Sequence, residues 1–329
     1  MRKIVYILVF LSICCVDSLG QDPTFSQFYA NKLYLSPAFA GATEEYRLAL
    51  SYRNQWPSIT GIFNTYSFSF DMAMPSFNSG VGVLATHDVA GSGDLSTTNI
   101  GMLYSYDIQI NQEWHVRPGV QLKFYYLGLD IQKLIFSSQI TGSGTSPAIY
   151  PPPFDNVADI DFASSAIIYN ETYWAGFTLD HMFTPKTSLY GEEKTTLPMK
   201  MNIFGGAQLY KKTRLRTQFQ EVVSIALNFQ KQLKYYQTDV GLYYFKSPLI
   251  FGLWYRGIPF ATSQAGDAII GLVGFKTNSV HIGYSYDFTI SNLLTTTGGS
   301  HEISIIYEFN NLSVGRQRAR IRAIPCPEF

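Results

Sequence analysis

Along most of the chain, apolar and polar residues alternate one by one. Tyr46, Leu48, Leu50 and Tyr52 fall on one face, and Arg47, Ala49, Ser51 and Arg53 on the other. A period of two marks a strand. The pattern returns with Tyr66, Phe68, Phe70 and Met72 against Ser67, Ser69 and Asp71. It returns with Trp114, Val116, Pro118, Val120, Leu122 and Phe124 against His115, Arg117, Gly119, Gln121 and Lys123. Near the C-terminus, Val280, Ile282, Tyr284, Tyr286 and Phe288 oppose His281, Gly283, Ser285, Asp287 and Thr289, and Ile303, Ile305, Tyr307 and Phe309 oppose Glu302, Ser304 and Glu308. Continued along the chain, the pattern predicts fourteen strands, near 46–54, 64–72, 79–87, 97–107, 114–126, 160–170, 173–182, 199–210, 219–230, 235–245, 249–257, 267–276, 280–290 and 300–309.

Connections after even strands are short, whereas those after odd strands are mostly longer, notably Leu127–Asp159 and Phe183–Pro198, with Lys231–Lys234 an exception. Short turns on one side and long loops on the other are the habit of outer-membrane barrels. A soluble sandwich or a periplasmic β-domain shows the same alternation. Three features favour the barrel, in which the apolar face looks outward. The apolar face is rich in Tyr, Phe and Trp near strand ends, as interfacial girdles are. Lys and Arg within strands mostly share the polar parity, with Lys276 and His301 as exceptions at strand ends. The third feature is an export signal.

Arg2 and Lys3 precede an apolar run from Ile4 to Val16, and Ser18-Leu19-Gly20 offers small residues for cleavage before Gln21. Cys14 and Cys15 lack the small preceding residue of a lipoprotein signal. Removing the first 20 of 329 residues leaves 309 and a single cysteine, Cys326, read as a free structural thiol or an intermolecular link. After the signal, no apolar run reaches the roughly 18 to 20 residues of a spanning helix.

Composition sharpens this. Aromatic residues make up 16 % of the chain and charged ones only 15 %, with 24 basic against 24 acidic side chains. The low charge fits strands with one face toward hydrocarbon, and the zero balance excludes a basic nucleic-acid binder. The balance is an average: Arg316, Arg318, Arg320 and Arg322 crowd a C-terminal tail whose one acid is Glu328, leaving 18 basic and 22 acidic residues in the rest of the mature chain. Lys211, Lys212, Arg214 and Arg216 add a basic turn on the same, periplasmic, side. Such charge suits anionic headgroups or an acidic periplasmic partner. The five histidines show no metal spacing, no cofactor motif is present, and Gly80 to Gly82 read as packing or curvature glycines in a strand. His281, Ser285 and Asp287 share a polar face but spread over about 20 Å, so they read as lumen-lining residues and not as a triad.

The stretch Gln21-Asp22-Pro23-Thr24-Phe25-Ser26-Gln27-Phe28-Tyr29-Ala30-Asn31, followed by Leu33-Tyr34-Leu35-Ser36-Pro37-Ala38-Phe39-Ala40-Gly41, closely resembles the opening of the PorP/SprF family of Bacteroidetes membrane proteins. The match continues at Tyr52-Arg53-Asn54-Gln55-Trp56, at Gly80–Val83 leading to Asp88 and Gly91, at Ser285-Tyr286-Asp287, at Gly299–Ser304 and at Pro325-Cys326-Pro327-Glu328-Phe329. One departure is Ser36, where the family usually has Asn. The resemblance implies a non-enzymatic outer-membrane β-barrel of the type IX secretion system that supports secretion or surface anchoring of an adhesin with a type B C-terminal sorting domain, in some members serving gliding motility. PorP-like members belong to the core machinery; SprF-like ones serve particular passengers. The expected partners are lipid, such an adhesin and periplasmic secretion components.

The resulting organisation is a signal peptide over 1–20, a family motif segment over 21–45, an all-β transmembrane barrel over 46–309 and a basic tail over 310–329. Phe25 to Gly41, too polar and proline-broken to span, is expected to pack within or beneath the barrel, or to serve as a periplasmic strap. The candidate partner-binding residues are Phe25, Gln27, Asn31, Pro37, Gly41, Arg53 and Trp56, with Arg316, Arg318, Arg320 and Arg322. An outer-membrane channel or transporter for small or hydrophobic solutes is the alternative, and a hydrolase around Ser285 ranks third.

Overall fold

The computed structural model describes residues 22–43, 46–59, 61–134, 140–141, 144–145, 155–190, 195–214, 219–257, 268–290, 298–309 and 324–326. The signal segment, the four tail arginines, Arg216 and the proline run at 151–153 lie outside the described residues.

All fourteen expected strands are present: β1 (Tyr46–Gln55), β2 (Ile62–Met74), β3 (Ser79–Gly91), β4 (Leu95–Tyr106), β5 (His115–Gly128), β6 (Val157–Tyr169), β7 (Tyr173–Asp180), β8 (Lys200–Arg214), β9 (Phe219–Gln232), β10 (Tyr235–Lys246), β11 (Leu249–Arg256), β12 (Ala268–Lys276), β13 (Val280–Thr289) and β14 (Ser300–Phe309). Each pairs antiparallel with its chain neighbours, and β14 pairs back onto β1 with Leu50 opposite Ile305. The sheet therefore closes and leaves no edge, as a lipid-immersed sheet requires.

Even-strand connections form one end of the barrel, called here the turn end, and the connections at 129–156 and 181–199 mark the other as the loop end. β3 and β4 run further toward the loop end than the alternation predicts, so only residues 92–94 join them.

The outer surface is apolar. Leu50, Phe68, Val83, Ile100, Met102, Leu122, Ile303 and Ile305 are exposed between two aromatic zones. Near the turn end, Tyr46 meets Phe70 and Phe309; near the loop end, Tyr52 meets Tyr66, and Tyr286 meets His301. Six residues separate Tyr46 from Tyr52, about 20 Å along a strand, close to the roughly 25 Å apolar band of such barrels. His301 faces outward, as its parity predicts. Lys276 does not: it shares its face with the buried Ala268, Ile270 and Leu272 and sits over the ring of Phe245. The misreading arose because β12 is apolar on both faces, so alternation there does not reveal which side is lumen.

That doubled apolarity belongs to a whole wall. Trp174, Phe204, Ala226, Tyr243, Ile250, Trp254, Ile270 and Leu272 point inward from β7 to β12 and are buried. The opposite wall, from β13 round to β6, presents Arg47, Arg53, Asp71, Arg117, Asp161, Ser165, Asp287, Glu302 and Ser304, also buried. A lumen that buries both kinds of side chain must be filled by something with both kinds of surface.

Candidate functional site

The filling is the chain's own N-terminal segment, Asp22–Thr43, which lies inside the barrel. Asp22 sits at the loop end, the chain descends to Ala30, climbs again so that the Tyr34 hydroxyl donates to Pro23 O at 2.5 Å, and descends to Gly41 at the turn end. Local chemistry sets these reversals. A turn closes with Ala30 N–H donating to Gln27 O, and a single helical turn follows over Lys32–Leu35. It stops at Ser36, whose φ of −161° is the extended conformation favoured before proline. The Ser36 hydroxyl then accepts from Ala38 N and caps the tight turn Pro37–Phe39. Asn caps as well as Ser, so the family's usual residue suits the same place.

On the polar wall, the barrel binds the segment largely through its backbone. Glu302 accepts from the backbone N–H groups of Ser26 (2.6 Å) and Gln27 (3.0 Å). Arg47 donates to Ala30 O at 2.7 Å, and Arg117 donates to both Ala40 O and Gly41 O. Asp71 accepts from Gly41 N and Ser165 from Ala38 N, and on β7, at the edge of the apolar wall, Thr178 donates to Leu35 O. The apolar wall takes the rings: Phe28 packs edge-on to Trp254 at 4.7 Å, Phe39 stacks on Phe204 at 5.7 Å, and Trp174 donates to the Tyr29 hydroxyl. Where the segment presses closest, the wall is glycine. A Cβ on Gly80 would lie 2.1 Å from Ala40 O, and one on Gly119 2.3 Å from Ala38 N, so Gly80 is a packing glycine.

Two ion networks, the first with two arginines sharing Asp287, tie the assembly at the loop end. Arg53 bridges Asp287 (2.8 Å) and Glu302 (3.2 Å) and donates to Ser26 Oγ, while Arg256 bridges Asp239 and Asp287 and reaches Phe25 O. The second centres on His181, with Asp161 at 2.6 Å on Nδ1 and Asp22 at 2.7 Å on Nε2. Burial alone would lower the pKa of His181, but Asp22 and Asp180, with the bond to Asp161, hold it up at about 9, so the ring is an imidazolium at neutral pH. Burial would likewise raise the Asp22 carboxyl, yet His181 and Lys200 hold it well below the ordinary range. Lys123 pairs with Asp161 and Asp180, and Lys200 with Asp22. Asp22, Asp180 and His181 place ligand atoms within 4.8 Å of one another, spacing that suits a metal. Both ring nitrogens already face carboxylates and two ammonium groups supply the positive charge, so the protein satisfies this group by itself.

Of the sequence-predicted site residues, Phe25, Gln27, Asn31, Pro37, Gly41 and Arg53 are brought together, but inside the barrel, buried and engaged with its own walls. Phe25 to Gly41 thus pack within the barrel, as their composition allows; Gln27 and Gly41 are bonded to its wall, whereas both polar atoms of the Asn31 side chain are buried without a hydrogen-bond partner. Trp56 stands apart at the loop end, half-buried against Phe63. Ser285 receives a bond from Gln27, and Asp287 belongs to the Arg53 network, so both line the lumen. Lys211 and Lys212 are exposed near the turn end. The tail's last described residues do not hang free below the barrel. Ile324–Cys326 is buried at the turn end, with Pro325 O accepting from Gln208 Nε2 and Cys326 1 % exposed. Apolar Ile-Pro-Cys finds cover there against Tyr243, Phe245 and Ile250. A buried thiol of this kind is no intermolecular link.

The residues that alternation missed are those of the apolar lumen wall, Phe204, Tyr243, Trp254, Ile270 and Leu272, because a barrel with an empty polar lumen has no use for them. The signal was present in β12, where both parities are apolar.

Among solved structures, the Pseudomonas putida toluene transporter TodX is 9 % identical over 88 % of this chain and 95 % of its own, with a TM-score of 0.45. A Pseudomonas aeruginosa FadL homologue is 10 % identical over 84 % of this chain and 93 % of its own, at 0.44. CdiB from Acinetobacter baumannii is 8 % identical over 81 % of this chain and 60 % of its own, at 0.45. Such likeness adds nothing to what the strand ladders establish. No curated protein matches the chain. The family model described as type IX secretion system membrane protein PorP/SprF matches residues 18–307, a span that holds the lumen segment and nearly the whole barrel. The chain therefore belongs to the PorP/SprF family of type IX secretion system membrane proteins, as a closed outer-membrane β-barrel that carries its own N-terminal segment in its lumen.

Proposed function

We propose that this barrel is a non-enzymatic docking component that holds a secreted adhesin with a type B C-terminal domain at its loop end, for secretion or surface anchoring. Its turn end, with the exposed Lys211 and Lys212, faces periplasmic components of the same system. The observation that carries this reading is the filled lumen. Asp22–Thr43 occupies the path a solute would take, and it is bonded to the wall through the Asp22 carboxylate and through its backbone from Ser26 to Gly41. A rigid platform with loops on one side and basic charge on the other suits a holder better than a conduit. The same reading extends to gliding motility where the passenger is a motility adhesin.

The test is purification of the intact protein from outer membrane and identification of its stoichiometric partner. An adhesin with a type B C-terminal domain is the expected result and the mark of an SprF-like role. A periplasmic secretion component alone would move the protein to a PorP-like core role, and the absence of any secretion partner would refute docking.

A further inference from the structure

Above the segment, at the loop end of the lumen, lies a cavity of about 400 Å³, within the roughly 300–1,000 Å³ of ligand-binding clefts. Its floor is the His181 network. There Asp22, Asp161 and Asp180 stand against Lys123, Lys200 and the His181 imidazolium, three charges of each sign. The floor is thus electrically closed and asks for nothing.

The β3–β4 wall is different. Asp88 points into the cavity from β3, and its one hydrogen bond among the described residues comes from the Thr65 hydroxyl at 2.6 Å. No lysine, arginine or histidine among the described residues forms an ion pair with it, unlike the floor carboxylates. Asn99 lines the same cavity from β4, and its Oδ1 is buried without a hydrogen-bond partner. In the β3–β4 register Asp88 pairs with Thr97 and Thr86 with Asn99, so Asp88 and Asn99 are diagonal neighbours, about 7–8 Å apart between backbones and closer between side chains. A partly buried carboxylate with no ion pair and a buried acceptor with no donor, both among the described residues, make one demand: several N–H groups carrying positive charge. Leu95, Leu127 and Leu197 complete the lining, which suits the methylene stem of a long basic side chain.

We propose that this cavity receives a basic side chain, arginine above all, from a polypeptide docked at the loop end, with Asp88 as its counter-charge and Asn99 as a second acceptor. The planar guanidinium fork can address both oxygens at once. This rests on the docking reading above and specifies the chemistry of its contact.

The purified barrel in lipid nanodiscs is titrated with L-arginine amide and with the uncharged citrulline amide by ligand-observed NMR. Asp88→Asn and, as a control outside the cavity, Asp94→Asn are measured beside it. Arginine amide is expected to bind the wild type and Asp94→Asn about tenfold or more better than citrulline amide, since hydrogen bonds between charged groups are the stronger ones; Asp88→Asn is expected to abolish that preference. Unchanged heat-modifiable migration on gels establishes that the variant barrel is folded. Equal binding of the two amides, or an undiminished preference in Asp88→Asn, overturns the site. The partner pull-down separates the two ideas. Arginine-amide binding without any docked adhesin refutes docking and leaves the site standing, whereas a docked adhesin without arginine-amide binding overturns the site alone.

Discussion

Replacing Glu302 by Gln removes a buried anionic anchor of the lumen segment. The wild-type carboxylate is fully buried, accepts from the backbone N–H groups of Ser26 and Gln27, and faces Arg53 at 3.2 Å. A glutamine keeps the shape but offers one acceptor oxygen and one amide donor. Either an N–H of the segment or the Arg53 guanidinium then meets a donor. Hydrogen bonds to a charged acceptor contribute ~1.5–3 kcal/mol each, and breaking a buried charge pair costs ~3–5 kcal/mol, so the segment loses about 3–5 kcal/mol of attachment. At about 1.4 kcal/mol per decade, the population of detached segment rises roughly a hundred- to several-thousand-fold. Hydrogen exchange of the Ser26 and Gln27 amides, measured in nanodiscs by mass spectrometry or NMR, should accelerate by that factor. The amides of β2 and β3 should keep their protection, because the barrel ladders do not involve Glu302's side chain. Wild-type exchange at Ser26 and Gln27 in the Glu302→Gln protein would refute the anchoring argument.

Other outcomes follow from the same packing. Gly119→Leu, whose Cβ would already lie 2.3 Å from Ala38 N, should dislodge the lower part of the segment while leaving the outward face intact; planar-bilayer recordings should then show conductance that the wild type lacks. His181 has its pKa raised from 6.5 to about 9. Its contribution to holding Asp22 is complete below pH 6.5 and is lost as pH rises through 9, so a spin label on Thr24→Cys in a Cys326→Ser background should gain mobility between pH 8 and pH 10, and constant mobility would contradict the network. Cys326, buried at the turn end, should react with maleimide only after unfolding, and non-reducing gels should show no adduct that Cys326→Ser removes.

The barrel was readable in the sequence because hydrocarbon imposes a strict outward parity: Leu48, Leu50, Ile303 and Ile305 can face nothing but lipid, and the count of fourteen followed from repeating that test. The contents of the lumen were less readable. Alternation reports only whether a face meets lipid, and Arg53, Ser165 and Ser285 look the same whether they meet water or another chain segment. The opening segment's family motif marked it as important, and its prolines excluded a strand, yet its position depended on long-range partners such as Glu302 and Arg117 that no local pattern connects to it. The clues that lay in the sequence were the glycines at 80 and 119 and the strand β12, apolar on both faces. Each is unnecessary in an empty barrel and required in a filled one.

The central claim, a barrel closed by its own chain and built for holding, is tested most directly by the conductance of the intact protein in planar bilayers. The account predicts silence from the full chain and a steady pore once Asp22–Gly41 is deleted. A stable open conductance from the intact protein would contradict it and return the barrel to the class of solute channels.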